Sequence, residues 1–133
     1  MDRRAGQPLH RRPRKFLEGL RDELIAALVA VARHRLRLAE RQPDGTTLRD
    51  HLEALEERTG RRHPLLDGPA PPAAGRHVWG WFLDLGGGPR PLSHAEIAAW
   101  AALTGNRPRD WEVRALRALD AACREDRRRT DGR

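Results

Sequence analysis

Leu17, Leu24, Val31 and Leu38 recur at every seventh position, with Leu20 and Ala27 between them and Ile25 and Leu28 widening the stripe. A seven-residue apolar repeat keeps one face of an α-helix apolar along its length, so the spacing predicts a long amphipathic helix from about Arg14 to Arg41. Such a helix is not stable alone, because its stripe needs a cover. The turn Pro43-Asp44-Gly45 ends it, and a shorter helix follows. Thr47 as N-cap with Asp50 three residues on, Leu48, Leu52 and Leu55 on one face, and Gly60 at the C-terminal end mark that second helix. Its apolar face is about 11 Å long against roughly 31 Å for the stripe of the first helix, so it cannot cover the stripe. Either the C-terminal part of the chain folds back over the long helix or a second copy lies on it. Ala30, Ala32 and His34 interrupt a clean heptad, which favours the intramolecular cover.

Residues 61–76 (RRHPLLDGPAPPAAGR) hold four prolines and two glycines and read as a stiff, extended connector. Val78 to Leu85 (VWGWFLDL) is the most aromatic stretch of the chain, and the glycines at 86–88 stop it. Ser93 and Glu96 form a capping box that opens a helix over His94 to Thr104, closed by Gly105. Asp110 is placed to cap a last helix running to about Arg124, with Trp111, Ala115, Leu119 and Ala122 on one face and Leu116 and Cys123 beside it. No strand and no internal repeat is legible. The predicted fold is all-α: a long N-terminal helix with a short one (14–60), a Pro-rich linker (61–76) and a Trp-rich three-helix module (77–123).

The chain carries a net charge of +7, which resembles a nucleic-acid signal until it is placed. Residues 1–15 hold six basic side chains against Asp2, and residues 124–133 hold five arginines against three acids, which accounts for the whole excess. Residues 16–123 are neutral, with 15 charges of each sign. Steering toward nucleic acid needs clustered positive charge on a folded surface, so the termini read as solvated basic segments: a disordered arm over 1–13 and a disordered tail over 124–133. Non-specific contact through these Arg-rich ends is the extent of any expected nucleic-acid binding. The longest apolar run, Leu24 to Ala32, spans about 14 Å as a helix, far short of a bilayer core. Asp22 and Glu23 precede it where a signal peptide carries positive charge, so neither membrane insertion nor export is expected.

Residues that carry chemistry show no catalytic pattern. A single cysteine, Cys123, excludes an intramolecular disulfide and a zinc site with two cysteines from one chain. The histidines at 10, 34, 51, 63, 77 and 94 have no metal-ligand spacing, and His34 on the apolar stripe reads as a packed residue. Gly86-Gly87-Gly88 is followed by Pro89-Arg90-Pro91 rather than by the lysine and helix start of a phosphate loop, so it is a turn. No enzyme activity and no cofactor are expected.

The informative residues are Trp79, Trp81, Trp100 and Trp111, with Phe82 beside the first two. On one helix Trp79 and Phe82 share a face while Trp81 points elsewhere, so a small bundle cannot bury the whole set. Exposed aromatic anchors mark protein interfaces, and these five residues are the candidate protein-binding site. Residues 93–123 also have the outline of a helix-turn-helix. The would-be recognition helix, residues 110–123, carries Arg114 and Arg117 against Asp110, Glu112 and Asp120, and Trp111 stands where base-reading side chains belong.

The run LRDHLEALEERTGRRHPLLDGPAPP, then VWGWFLDL, then PLSHAEIAAWAALTGNRPRDWEVRALRALDAA resembles small tailed-phage and prophage proteins encoded beside the tail tape-measure gene and described as tail assembly chaperones. The shared pattern is a T-G-x-x-x-P linker, a W-x-W-F helix, a P-[LI]-S-x-x-E-I-x-A-W-x-x-L-T-G helix and a W-E-V-R-x-L-x-x-L-D helix, over roughly residues 47–122. Gly80 between the tryptophans, His94 after Ser93 and a short loop at 86–90 depart from it, and residues 1–46 lie outside it. The resemblance implies a non-enzymatic protein of the host-cell cytoplasm that binds the helical tape-measure protein, and other tail proteins, during tail morphogenesis. Two other readings stand beside it: a helix-turn-helix DNA-binding regulator, and a structural tail or connector subunit retained in the virion.

Overall fold

The computed structural model describes the backbone of residues 3–132 and the side chains of residues 15–132. Its helices are α1 (Arg3–Leu38), α2 (Leu48–Thr59), α3 (Arg76–Leu85), α4 (His94–Thr104) and α5 (Asp110–Asp131). Among the described residues the extended pairing is limited to an isolated bridge between Arg41 and Thr47, so the fold is all-α, as the sequence predicts.

The ends of the short helices follow from local chemistry. The Asp50 N–H donates to Thr47 Oγ1 at 3.1 Å and the Thr47 N–H to Asp50 Oδ2 at 3.0 Å, so the first donors of α2 are satisfied reciprocally. Ser93 and Glu96 do the same for α4, at 3.1 Å in both directions. Gly60 and Gly105 close these two helices in the left-handed conformation (φ 72° and 73°), which a side chain would strain. At α5 the sequence expectation needs correction. Arg109, not Asp110, is the cap, and its N–H donates to Glu112 Oε1 at 2.6 Å. The glutamate three residues on supplies the acceptor, which leaves Asp110 to pair with Arg114.

The long helix is covered by its own chain. Arg114 meets Asp22 and Arg33 meets Glu125, both pairs 92 residues apart, so α1 and α5 run parallel. These exposed pairs record the register and contribute little. The packing comes from one apolar core: Leu28, Val31 and Ala32 of α1, Val78, Trp79 and Phe82 of α3, Leu92, Ile97 of α4, and Ala115, Leu116 and Leu119 of α5. Each fully buried leucine among them adds about 1.5–3 kcal/mol. The N-terminal helix and the Trp-rich segment therefore share a single core. A smaller cluster of Leu38, Leu52 and Leu66 ties α2 and the connector to the end of α1.

Three segments differ from the sequence reading. α5 continues to Asp131, so residues 124–131 are helix rather than a disordered tail. Arg124 reaches back to Asp120 and Arg129 to Asp126, one turn apart, and these pairings support the polar extension. The backbone of α1 begins at Arg3 rather than near Arg14. The expected arm is thus helical backbone, although Gly6, Pro8 and Pro13 within it disfavour a helix; residues 1 and 2 lie outside the described residues. The connector holds two one-turn 3-10 helices, Pro64–Leu66 and Ala73–Gly75, and buries Leu66, so it lies against the body instead of spanning solvent.

Candidate protein-docking site

α3 divides the aromatic residues between two faces. Val78, Trp79 and Phe82 are buried on the side that meets α1 and α5, with the rings of Trp79 and Phe82 6.2 Å apart and the Arg35 guanidinium 4.8 Å over Trp79. Gly75, at the start of α3, lets this face come close: a Cβ there would stand 3.2 Å from the Leu28 side chain. Trp79 and Phe82, two of the five candidate anchors, are thus core residues. Their i, i+3 spacing places them together on the face the bundle buries.

The other face carries His77 and Trp81, one turn apart, and begins a row of rings across three helices. The Trp111 ring of α5 meets His77 edge-on at 5.9 Å, His77 meets Trp81 at 5.0 Å, and Trp81 meets Trp100 of α4 at 5.5 Å. Each edge-to-face pair is worth about 0.5–1.5 kcal/mol beyond burial. Trp100 Nε1 donates to Asp84 Oδ2 at 2.6 Å, which fixes the indole. His77 is hydrogen-bonded to the Glu112 carboxylate, which is buried and also accepts the Arg109 N–H. Trp81, Trp100 and Trp111 are each partly exposed, and Trp81 and Trp111 also pack against the core.

α4 extends this surface. Apart from His94, Glu96 and Thr104 its sequence, HAEIAAWAALT, is apolar all round, yet Ile97 is its sole buried residue. Ala98, Ala99 and Ala102 are exposed, and Leu103, on the same side as Trp100, is 88% exposed. A helix apolar on every side is normally enclosed by protein or membrane.

The tryptophans are legible in the sequence; that Asp84 holds Trp100 and that Glu112 holds His77 is not. The i, i+4 spacing of His77 and Trp81 and the position of Glu112 three residues after the cap were the available signals. Among the described residues no three His, Cys, Asp or Glu side chains gather as a metal ion would require. The Gly88 carbonyl accepts from Arg124 at 2.8 Å, a structural contact of that turn. Cys123 packs beside the core, and burial pushes its thiol pKa up. A groove of about 610 Å³ between α1 and α5 is lined by charges of both signs, including Arg33, Arg37, Glu125 and Asp126. In the helix-turn-helix outline, Arg114 is held by Asp22 and Asp110 and Arg117 by the Leu92 carbonyl, while α5 itself is the central helix of the core.

Among the described residues no helix is long and apolar enough to cross a membrane. Residues 55–125, more than half of the chain, match the model of a family described as phage tail assembly chaperone, and the protein belongs to that family. Neither the curated proteins nor the solved structures give a match.

Proposed function

We propose that this member of the phage tail assembly chaperone family binds the tape-measure protein, taking one of its amphipathic helices onto the outer face of α4 and the neighbouring aromatic row. Family membership supports a role in phage tail assembly. The observation that carries the finer reading is α4, a helix apolar all round whose outer side has no intramolecular cover. Before a tail tube surrounds it, a tape-measure chain presents long helices with apolar stripes, and an apolar surface with aromatic anchors is suited to hold such a stripe. Exposed alanines at 98, 99 and 102 let a second helix approach closely, while Trp81, Trp100, Trp111 and Leu103 supply the large contacts. Trp79 and Phe82 support the surface from beneath. The place of action is the host-cell cytoplasm.

Co-expression with the tape-measure protein and capture of the complex tests this. Micromolar binding is expected, reduced about 10–100-fold by Leu103→Asp or Trp100→Ala with the fold intact. Absence of binding with both proteins soluble overturns the reading. Mass spectrometry of purified particles separates a helper, absent from the finished virion, from a resident tail subunit. A DNA-binding regulator is not favoured, because the arginines on the exposed face of α5, Arg114 and Arg117, are engaged by Asp22, Asp110 and the Leu92 carbonyl.

A further inference from the structure

We propose that the Trp100 end of the aromatic row is a site for a partner's arginine, stacked on the indole and paired with Asp84. The inference rests on the docking of a tape-measure helix at this surface and names what that helix carries at the edge of its apolar stripe. Asp84 is exposed and shares one face of α3 with His77 and Trp81, at i, i+4 and i+7. Its Oδ2 accepts the Trp100 indole N–H at 2.6 Å, and among the described residues that is its one partner: no arginine, lysine or histidine answers its charge. The neighbouring acids are occupied. Glu112 holds His77 and the Arg109 N–H, and Glu96 caps its own helix through the Ser93 N–H.

Charge decides what can lie here. A helix laid across Trp81 and Trp100 takes water from Asp84, and an ionised carboxylate enclosed by apolar side chains without a counter-charge is heavily penalised. A stripe of alanines and leucines alone is therefore the wrong partner, and so is one flanked by acids. A partner arginine removes the penalty and adds an attraction of its own. Because the indole N–H points at Asp84, the carboxylate lies at the edge of the Trp100 ring, near its plane. A planar guanidinium stacked on the indole can therefore turn an N–H toward the second oxygen, Oδ1. Trp81, with its ring centroid 5.5 Å from that of Trp100 and its plane at 66°, gives the site a second aromatic wall. The methylene stem of the arginine suits the exposed apolar side of α4. A lysine, whose ammonium is a strongly hydrated point charge, stacks less well.

Titration of the full chain with the tape-measure protein at low and high salt, for wild type, Asp84→Asn and Leu103→Asp, tests the proposal. Asparagine keeps an acceptor oxygen for the Trp100 indole and removes the charge. Asp84→Asn should weaken binding about three- to tenfold at low salt, and the difference should shrink as salt rises. Its melting temperature should stay close to that of the wild type, since the site is exposed. An Asp84→Asn chain that binds as tightly as the wild type or more tightly, while Leu103→Asp still weakens binding, overturns the arginine site and leaves the docking surface standing. A loss of the same size at every salt concentration reports lost support of the indole and also overturns the arginine site. Absence of binding by the wild type, with both proteins soluble, overturns the docking reading and the arginine site with it.

Discussion

The buried carboxylate of Asp120 accepts a hydrogen bond from Arg124 Nε, one turn further along α5, at 2.8 Å. The same Oδ2 accepts the backbone N–H of Leu92, also at 2.8 Å, and Arg124 continues to the carbonyls of Gly88 and Pro89. Two side chains thereby fasten the loop before α4 onto α5 and set the position of α4. Asp120→Ala should cost about 3 kcal/mol in chemical denaturation, because the buried Leu92 N–H and the Arg124 Nε–H both lose their acceptor and Arg124 loses its charge partner. Asp120→Asn, which retains one acceptor oxygen, should cost less.

Gly68 of the connector lies directly against the His34 ring, so a Cβ at that position would stand 1.8 Å from His34 Nε2. Gly68→Ala should destabilise the protein by about 1–3 kcal/mol through overpacking. Shortening the opposing side chain in a Gly68→Ala, His34→Ala double variant should recover part of that loss. Equal losses in the single and double variants would place the cost elsewhere.

The buried face of α3 and the ring row that runs onto α4 predict opposite outcomes for their tryptophans. Trp79→Ala, which empties a core position, should cost about 3–5 kcal/mol. Trp100→Ala, at the half-exposed end of the ring row, should cost much less in stability and register mainly in partner binding. Thermal melts beside a binding titration distinguish these roles.

The Thr47 backbone N–H, and then its hydroxyl, hold the Asp50 carboxyl below the ordinary carboxylate range. A carboxyl whose pKa is depressed by folding adds stability that is complete above its unfolded value and is lost as the pH falls through the lowered one. The stability difference between wild type and Asp50→Asn should therefore be level at neutral pH and shrink on acidification. Denaturation midpoints across an acid series measure it.

Local chemistry was enough to read the short helices. The Thr47–Asp50 and Ser93–Glu96 boxes and the closing Gly60 and Gly105 act within a few residues of chain, so their spacing alone located α2 and α4. The seven-residue stripe likewise made α1 a helix in need of a cover. What covers it was decided by tertiary structure, because periodicity says that a face is apolar and not what it meets. The same limit applied to the five aromatic candidates: their spacing split Trp79 and Phe82 from Trp81, but only the placement of α1 and α5 determined which set became core. The polar partners around the aromatic row had only short local spacings to signal them, for the same reason. His77 and Glu112 stand 35 residues apart, Leu92 and Asp120 28, and a hydrogen bond across such distances leaves no periodic trace in a sequence. The end of α5 was misread because its arginines looked solvated on composition, whereas Arg124 has acceptors supplied by a loop that only the fold brings within reach.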